Sequence, residues 1–290
     1  MKIGAMVESF RLPFEDAVKK AKELGVDGIQ AYATLEAGEL FFDNITDEKI
    51  KWALDVVKSN GLVFSAICGD FGVGFGDEER DAEFVEKSKR VIDLAKKLEC
   101  NVVTTHIGTV PEFECRKKEI MRASCRELAV YADSIGSAFA VETGPEKGEI
   151  LGAFLDSLGA GGVRVNFDPA NLVMVAGDRP ENALKYLGKY IVHTHAKDGI
   201  MLKADDKRDI NVTVGGEAAD HEMLLGMGWK YLELPLGEGD VNFDIYLPEL
   251  KKTGFDGFLT IEREVGANPA ADITLAANFL REKIAKFDLA

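Results

Sequence analysis

The stretch IVHTHAKDG, residues 191–199, holds two of the chain's four histidines, His193 and His195, followed by Lys197 and Asp198. Three other short apolar stretches carry a carboxylate near their C-terminal end: Glu142 in AFAVETG (138–144), Asp168 in VRVNFDP (163–169), and Glu262 in FLTIERE (258–264), with Glu264 beyond it. NVVTTHIG (101–108) carries His106 in the corresponding place. Imidazoles and carboxylates brought together do one of two things: they hold a divalent cation or they pass protons. Either use requires that the stretches deliver these side chains to one point.

Along a strand, successive side chains point to opposite faces. His193, His195 and Lys197 then share one face, and Val192, Thr194 and Ala196 the other. Phe139 and Val141, Val163, Val165 and Phe167, and Leu259 and Ile261 likewise take an apolar face. That leaves Glu142, Asp168 and Glu262 on the side of the histidines, and His106 falls there too.

The elements that position these residues follow from the hydrophobic pattern. β-rich stretches at 2–8, 28–33, 63–70, 101–108, 138–144, 163–169, 191–198 and 258–264 alternate with segments of helical period. LPFEDAVKKAKELG has Pro13 in its first turn and ends on Gly25. TDEKIKWALDVVKSNG opens on a capping Thr46 and closes on Gly61. Eight strands, each followed by a helix and with no low-complexity linker, predict one α/β domain over residues 1–290, a (β/α)8 TIM barrel. An open doubly wound sheet would show a phosphate-binding turn after an early strand. GDFGVGFGD (69–77) is glycine-rich but lacks that pattern, and is read as a flexible loop over the barrel mouth.

Active sites in such barrels lie at the C-terminal ends of the strands. Strands 5, 6, 7 and 8 therefore bring Glu142, Asp168, His195 and Glu262 to one height of one mouth, with His193 a layer deeper. Three unpaired carboxylates inside a barrel would be very costly to ionise. One bound divalent cation removes that cost, and three oxygens with one imidazole nitrogen suit Mn²⁺, Mg²⁺, Co²⁺ or Zn²⁺. A single inward Glu or His is ordinary; one on each of four consecutive strands predicts a metal site.

Composition narrows the partners. With 46% hydrophobic residues the chain can bury a large core. A formal charge of −15 argues against nucleic acid and against an anionic membrane surface, since both need clustered Lys and Arg. No apolar run reaches membrane-spanning length, and MKIGAMVESF lacks the apolar region of a signal peptide. Cys68, Cys100, Cys115 and Cys125 show no CxxC spacing. The expectation is a cytoplasmic protein with reduced thiols that serve as small buried hydrophobes.

The pieces VETG, NFDPANL, VHTHAKD and GEGDVNFDIYLPELKKTGFDGFLTIERE carry a resemblance over essentially the whole chain. It resembles the xylose isomerase-like superfamily of sugar isomerases and epimerases, in particular tagatose 3-epimerase-type enzymes. In that branch one divalent metal, Mn²⁺ foremost, is held by a Glu, an Asp, a His and a Glu at the ends of strands 5 to 8. Those match Glu142, Asp168, His195 and Glu262. The resemblance also makes Glu142 and Glu262 the acid/base pair. It implies a metal-stabilised enediolate, from which a proton is taken on one face and returned on the other. The same intermediate serves 1,2-isomerisation, and dehydration if a β-hydroxyl leaves, so an inosose-type dehydratase is the nearest alternative. Where the ketose epimerases often place a substrate-contacting His, three residues after the strand-6 Asp, this chain has Asn171. The endonuclease IV branch needs many histidines and a basic surface, which four histidines and −15 do not offer. A non-catalytic binding protein would be expected to lack a ligand, and none is missing.

His106, Asn171, Lys197 and Glu264 are the candidate contacts to a sugar or keto-sugar, with salt bridging the alternative for Lys197. His193 is expected to orient a ligand, and Asp198 to cap local backbone. Asp168 and His195 are 27 residues apart, but His195 and Glu262 are 67 apart, so a large insertion follows strand 7. Residues 199–237 are read as a lid or a homo-oligomer contact.

Overall fold

The computed structural model describes residues 1–205, 208, 210–214 and 217–290. Along them strands and helices alternate as the pattern predicts. The first half runs β1 (Lys2–Met6), α1 (Phe14–Glu23), β2 (Gly28–Tyr32), α2 (Asp47–Ser59), β3 (Val63–Cys68), α3 (Asp81–Lys97), β4 (Val102–Thr105) and α4 (Arg116–Ser134). It continues with β5 (Ala138–Glu142), α5 (Gly148–Asp156), β6 (Val163–Phe167), the single turn α6 (Pro169–Asn171), α7 (Pro180–Leu187) and β7 (Ile191–Ala196). Then come β8 (Asp198–Met201), β9 (Asn211–Val214), β10 (Glu217–Asp220), α8 (His221–Gly226), β11 (Tyr231–Leu234), α9 (Phe243–Lys252), β12 (Phe258–Ile261) and α10 (Pro269–Phe287). Local signals set the ends. Thr46 accepts the Lys49 N–H at the start of α2, and Gly25 and Gly61 take left-handed φ of 66° and 70° just past α1 and α2.

Eight strands close a parallel barrel in the order β1, β2, β3, β4, β5, β6, β7, β12 and back to β1. The apolar face of each strand packs outward on the helices, where Phe139, Val165, Phe167 and Leu259 meet side chains such as Phe154, Leu184 and Leu247. Complete burial of one such Phe or Leu stabilises by roughly 1.5–3 kcal/mol. The interior is polar instead, lined by buried Gln30, Thr104, Asn166, His193 and Thr260. Gly4 makes room for this layer, since a Cβ there would stand 2.5 Å from Thr260 Oγ1.

Two segments show contacts that the sequence did not reveal. Loop 69–77 is held at several points. Phe75 N–H bonds Ile107 O at 2.9 Å, and buried Asp81 accepts from Gly76 and Asp77. Gly74 is needed for close approach, because its Cβ would lie 2.6 Å from Gly108 Cα. The insertion has structure of its own. β8 pairs antiparallel with β11, β9 with β10, and Ile200, Leu202, Ile210, Ala219, Leu224 and Leu232 form a small separate core. Positions 206, 207, 209, 215 and 216 of the insertion lie outside the described residues. Cys68, Cys100 and Cys125 are buried as expected, whereas Cys115 is exposed just before α4. Among the described residues, no helix is long and apolar enough to cross a membrane.

Candidate metal centre

Strand register assembles the site. β5 and β6 pair Glu142 with Asn166, β6 and β7 pair Asn166 with His193, and β12 and β7 pair Thr260 with His195. Glu142 therefore ends β5, Asp168 follows β6, His195 lies near the end of β7, and Glu262 follows β12. Each offers one ligand atom, all four residues are buried, and these atoms lie within 4.8 Å of one another. His195 Nδ1 is 3.2 Å from Glu262 Oε2, 3.5 Å from Glu142 Oε1 and 3.7 Å from Asp168 Oδ2.

Most other polar atoms of the four residues have partners. Asp168 Oδ1 accepts from Ala170 N at 2.7 Å and Asn171 N at 3.1 Å, so this carboxylate also caps α6. Glu142 Oε2 accepts from Asn166 Nδ2 at 3.1 Å, and Oε1 from Asn171 Nδ2 at 2.9 Å. Glu262 Oε2 accepts from Lys197 Nζ at 2.9 Å. His195 Nε2 sits 3.2 Å from Gln30 Oε1. Among the site's own buried atoms, Asp168 Oδ2 and His195 Nδ1 have no hydrogen-bond partner. Buried polar atoms are rarely left so, and both belong to the group of four. Three hard oxygens and one imidazole nitrogen with two lone pairs to spare fit a divalent cation.

Electrostatics point the same way. Burial alone would lower the His195 pKa, but Glu262, Glu142 and Asp168 outweigh it and hold it well above the ordinary value. A proton on His195 thus answers the same surplus of negative charge that a cation would. Burial opposes ionisation of Glu262, yet His195 and Lys197 together keep its carboxyl well below the usual range. Burial drives His193 well below the ordinary histidine value, helped by repulsion from His195, so this ring is neutral.

Each residue singled out in the sequence has a definite place. His193 is held between Asn166 Oδ1 and Thr260 Oγ1, both at 2.9 Å, one layer under the site as expected. Lys197 takes its salt-bridging alternative, 2.9 Å from Glu262 and 2.5 Å from Glu264, with Glu264 at the exposed rim. His106 is 45% exposed, with Nδ1 2.9 Å from Asp70 Oδ2 and Nε2 3.5 Å from Glu142 Oε1. Glu142 is the main cause that raises its pKa to about 9, with burial opposing and Asp70 adding to the rise. Asn171 spends its amide on Glu142 and on Thr143 O. Asp198 accepts from the local N–H of Gly199 as expected, and also from the distant N–H groups of Gly237, Gly239 and Val241, so it ties the start of β8 to the loop before α9. Sequence reasoning missed Gln30 and Asn166, although parity places both on the inward face. The available signal was an amide at an inward position of each strand, Gln30 in GIQAY and Asn166 in VRVNF.

Comparison with known proteins sets this site in context. The family model described as xylose isomerase-like TIM barrel matches residues 18–283. An uncharacterised protein of Methanocaldococcus jannaschii is 26% identical over 193 residues, 62% of this chain, and the chain spans 56% of that relative's length. A xylose isomerase domain protein from Planctomyces limnophilus superposes with TM-score 0.79 at 24% identity, covering 100% of this chain and 98% of the other. A probable 3-DHS dehydratase from Bacillus anthracis, involved in petrobactin synthesis, gives 0.74 at 21%, covering 97% and 99%. A D-tagatose 3-epimerase-like protein gives 0.72 at 19%, covering 99% and 98%. At these identities the structural likeness carries the fold alone.

Proposed function

The chain belongs to the xylose isomerase-like TIM-barrel family, and from that premise we propose that it is a divalent-metal-dependent isomerase or epimerase of a sugar or keto-sugar. The observation that carries the reading is the buried group Glu142, Asp168, His195 and Glu262, with its two unpartnered atoms. A divalent cation held there, Mn²⁺ first and Mg²⁺, Co²⁺ or Zn²⁺ as alternatives, would act as a Lewis acid on the carbonyl and hydroxyl oxygens of a substrate.

The chain's own residues do the rest. Glu142 and Glu262 act as the acid/base pair, one taking the proton from the carbon beside the carbonyl and the other returning one. Asn166 and Asn171 orient Glu142 by neutral amide donors, which hold the carboxylate in place without adding positive charge. Lys197 keeps Glu262 ionised. His106 and Glu264 bind substrate oxygens at the rim, with Asn171 reaching substrate from the side it already occupies. A D-tagatose 3-epimerase-like protein shares this fold.

One observation favours a dehydratase as the second reading. A probable dehydratase shares this fold, and the same enediolate loses water when a β-hydroxyl sits on the neighbouring carbon. Both readings meet in one experiment: Mn²⁺-loaded protein with a panel of sugars and keto-sugars in deuterated water, followed by NMR. Deuterium entering beside the carbonyl with carbon skeleton and water content retained supports the isomerase or epimerase. Loss of water to an unsaturated product selects the dehydratase, and no exchange with any member of the panel overturns both.

A further inference from the structure

We propose that Gln30 is a positioning residue for the metal centre: its side-chain carbonyl takes the Nε2 proton of His195 and so presents Nδ1 as the ligand atom. The inference rests on the metal reading above and adds to it a residue from the far side of the barrel.

A neutral imidazole has one N–H and one lone pair. For Nδ1 to face the carboxylates as a ligand, Nε2 must carry the proton, and a buried N–H needs an acceptor. Two groups stand at Nε2, Gln30 Oε1 and Asn166 Nδ2, each at 3.2 Å. Asn166 cannot serve. Its Nδ2 is a donor already turned to Glu142 Oε2, and its Oδ1 takes the Nδ1–H of His193. That fixes the His193 ring in turn, with its proton on Nδ1 and Nε2 left to accept from Thr260 Oγ1. Reversing the Asn166 amide would set its carbonyl against the Glu142 carboxylate and its NH₂ against the His193 N–H. Gln30 is therefore the acceptor. Its own orientation is set by Nε2 donating to Thr104 Oγ1 at 3.2 Å. Gln30, Thr104 and His195 are at most 1% exposed, so water cannot substitute.

Without Gln30, a proton on Nε2 would face only the Asn166 donor. The ring would then favour the proton on Nδ1, the position the ligand atom must occupy. Loss of a group that orients a ligating histidine typically costs about 10- to 100-fold in metal affinity. Gln30→Leu keeps the volume and removes the acceptor, whereas Gln30→Glu keeps an acceptor in either protonation state and can still bond Thr104.

The test measures Zn²⁺ and Mn²⁺ affinity by competition with a fluorescent chelator, beside ¹⁵N spectra of Zn²⁺-loaded protein carrying labelled histidine. The expected result is a loss of about 10- to 100-fold for Gln30→Leu, near-normal affinity for Gln30→Glu, and a wild-type His195 with its proton on Nε2. A proton on Nδ1 in the loaded wild type overturns the proposal with no variant required. Gln30→Leu binding as wild type does, or Gln30→Glu as weak as Gln30→Leu, overturns it as well. Wild-type protein that binds neither ion would sink the metal reading itself, whereas normal wild-type binding with an unaffected Gln30→Leu removes only the role of Gln30.

Discussion

Glu142 and Glu262 face the same gap from different electrostatic settings, one held by two amides and the other by an ammonium. A Gln at either position keeps the shape and one oxygen for the cation but removes the base. Under saturating Mn²⁺, Glu142→Gln and Glu262→Gln should each lose about 10²- to 10⁴-fold in turnover. If they serve opposite faces the two variants should differ in kind, one losing proton exchange and the other exchanging without inverting the centre. Deuterium wash-in from each substrate epimer separates these outcomes, and full activity in either variant would end the two-base assignment. A second residue-level prediction concerns stability. Burial raises the Glu8 carboxyl from 4.5 to about 7, against the pull of the Tyr32 N–H it accepts. A carboxyl raised on folding contributes stability below its unfolded pKa and loses it as pH climbs through the folded one. Glu8→Gln, which still accepts from Tyr32, should match wild type in acid and become the more stable form between pH 4.5 and about 7. The advantage at pH 8 should reach up to about 3 kcal/mol in denaturant unfolding. A stability difference that does not vary with pH would refute the burial of an ionising Glu8.

The insertion after β7 divides into two parts by its attachments. The β8–β11 ladder is tied to the site wall, since Glu233 pairs with Arg263 at 2.6 Å, both nearly buried, and also accepts the Glu264 N–H. Asp272 holds the other side of Arg263 at 2.8 Å. The outer part carries exposed Met223 and Met227, shares the small core with β8 and β11, and is tied back by Arg208 to Asp240 at 2.7 Å. Replacing residues 205–227 by a short Gly/Ser linker should therefore leave a folded barrel that still takes up metal. Substrate range or mass in solution should change, as read by kinetics on the sugar panel and by light scattering. If both stay as in wild type, the segment is neither lid nor oligomer contact.

At the scale of the molecule, the barrel and the group of four were legible because one rule generates both. Alternation sends Val, Leu and Phe outward, so a Glu, Asp or His near the end of such a strand has only the mouth to enter. Gln30 and Asn166 obey the same rule but carry no charge, and an uncharged amide raises no problem of burial until its partners are visible. Loop 69–77 was less legible for a different reason: glycine permits close packing as readily as motion, and the close approach of Gly74 to Gly108 is visible only in three dimensions. Asp168 also held a second role that spacing does not reveal. Its Oδ1 caps α6 while Oδ2 faces His195 Nδ1 at 3.7 Å, so truncation to Ala would remove a cap worth about 1 kcal/mol along with the proposed ligand. Asp168→Asn is the cleaner change, because Oδ1 can keep the cap and only the free oxygen becomes an NH₂. The most direct test of the metal centre is the content of Mn²⁺ per chain in wild type and Asp168→Asn after equilibration and gel filtration, read by elemental mass spectrometry. The account predicts one equivalent in the wild type and close to none in a variant that remains folded by circular dichroism. A full equivalent retained by Asp168→Asn at wild-type affinity would contradict it.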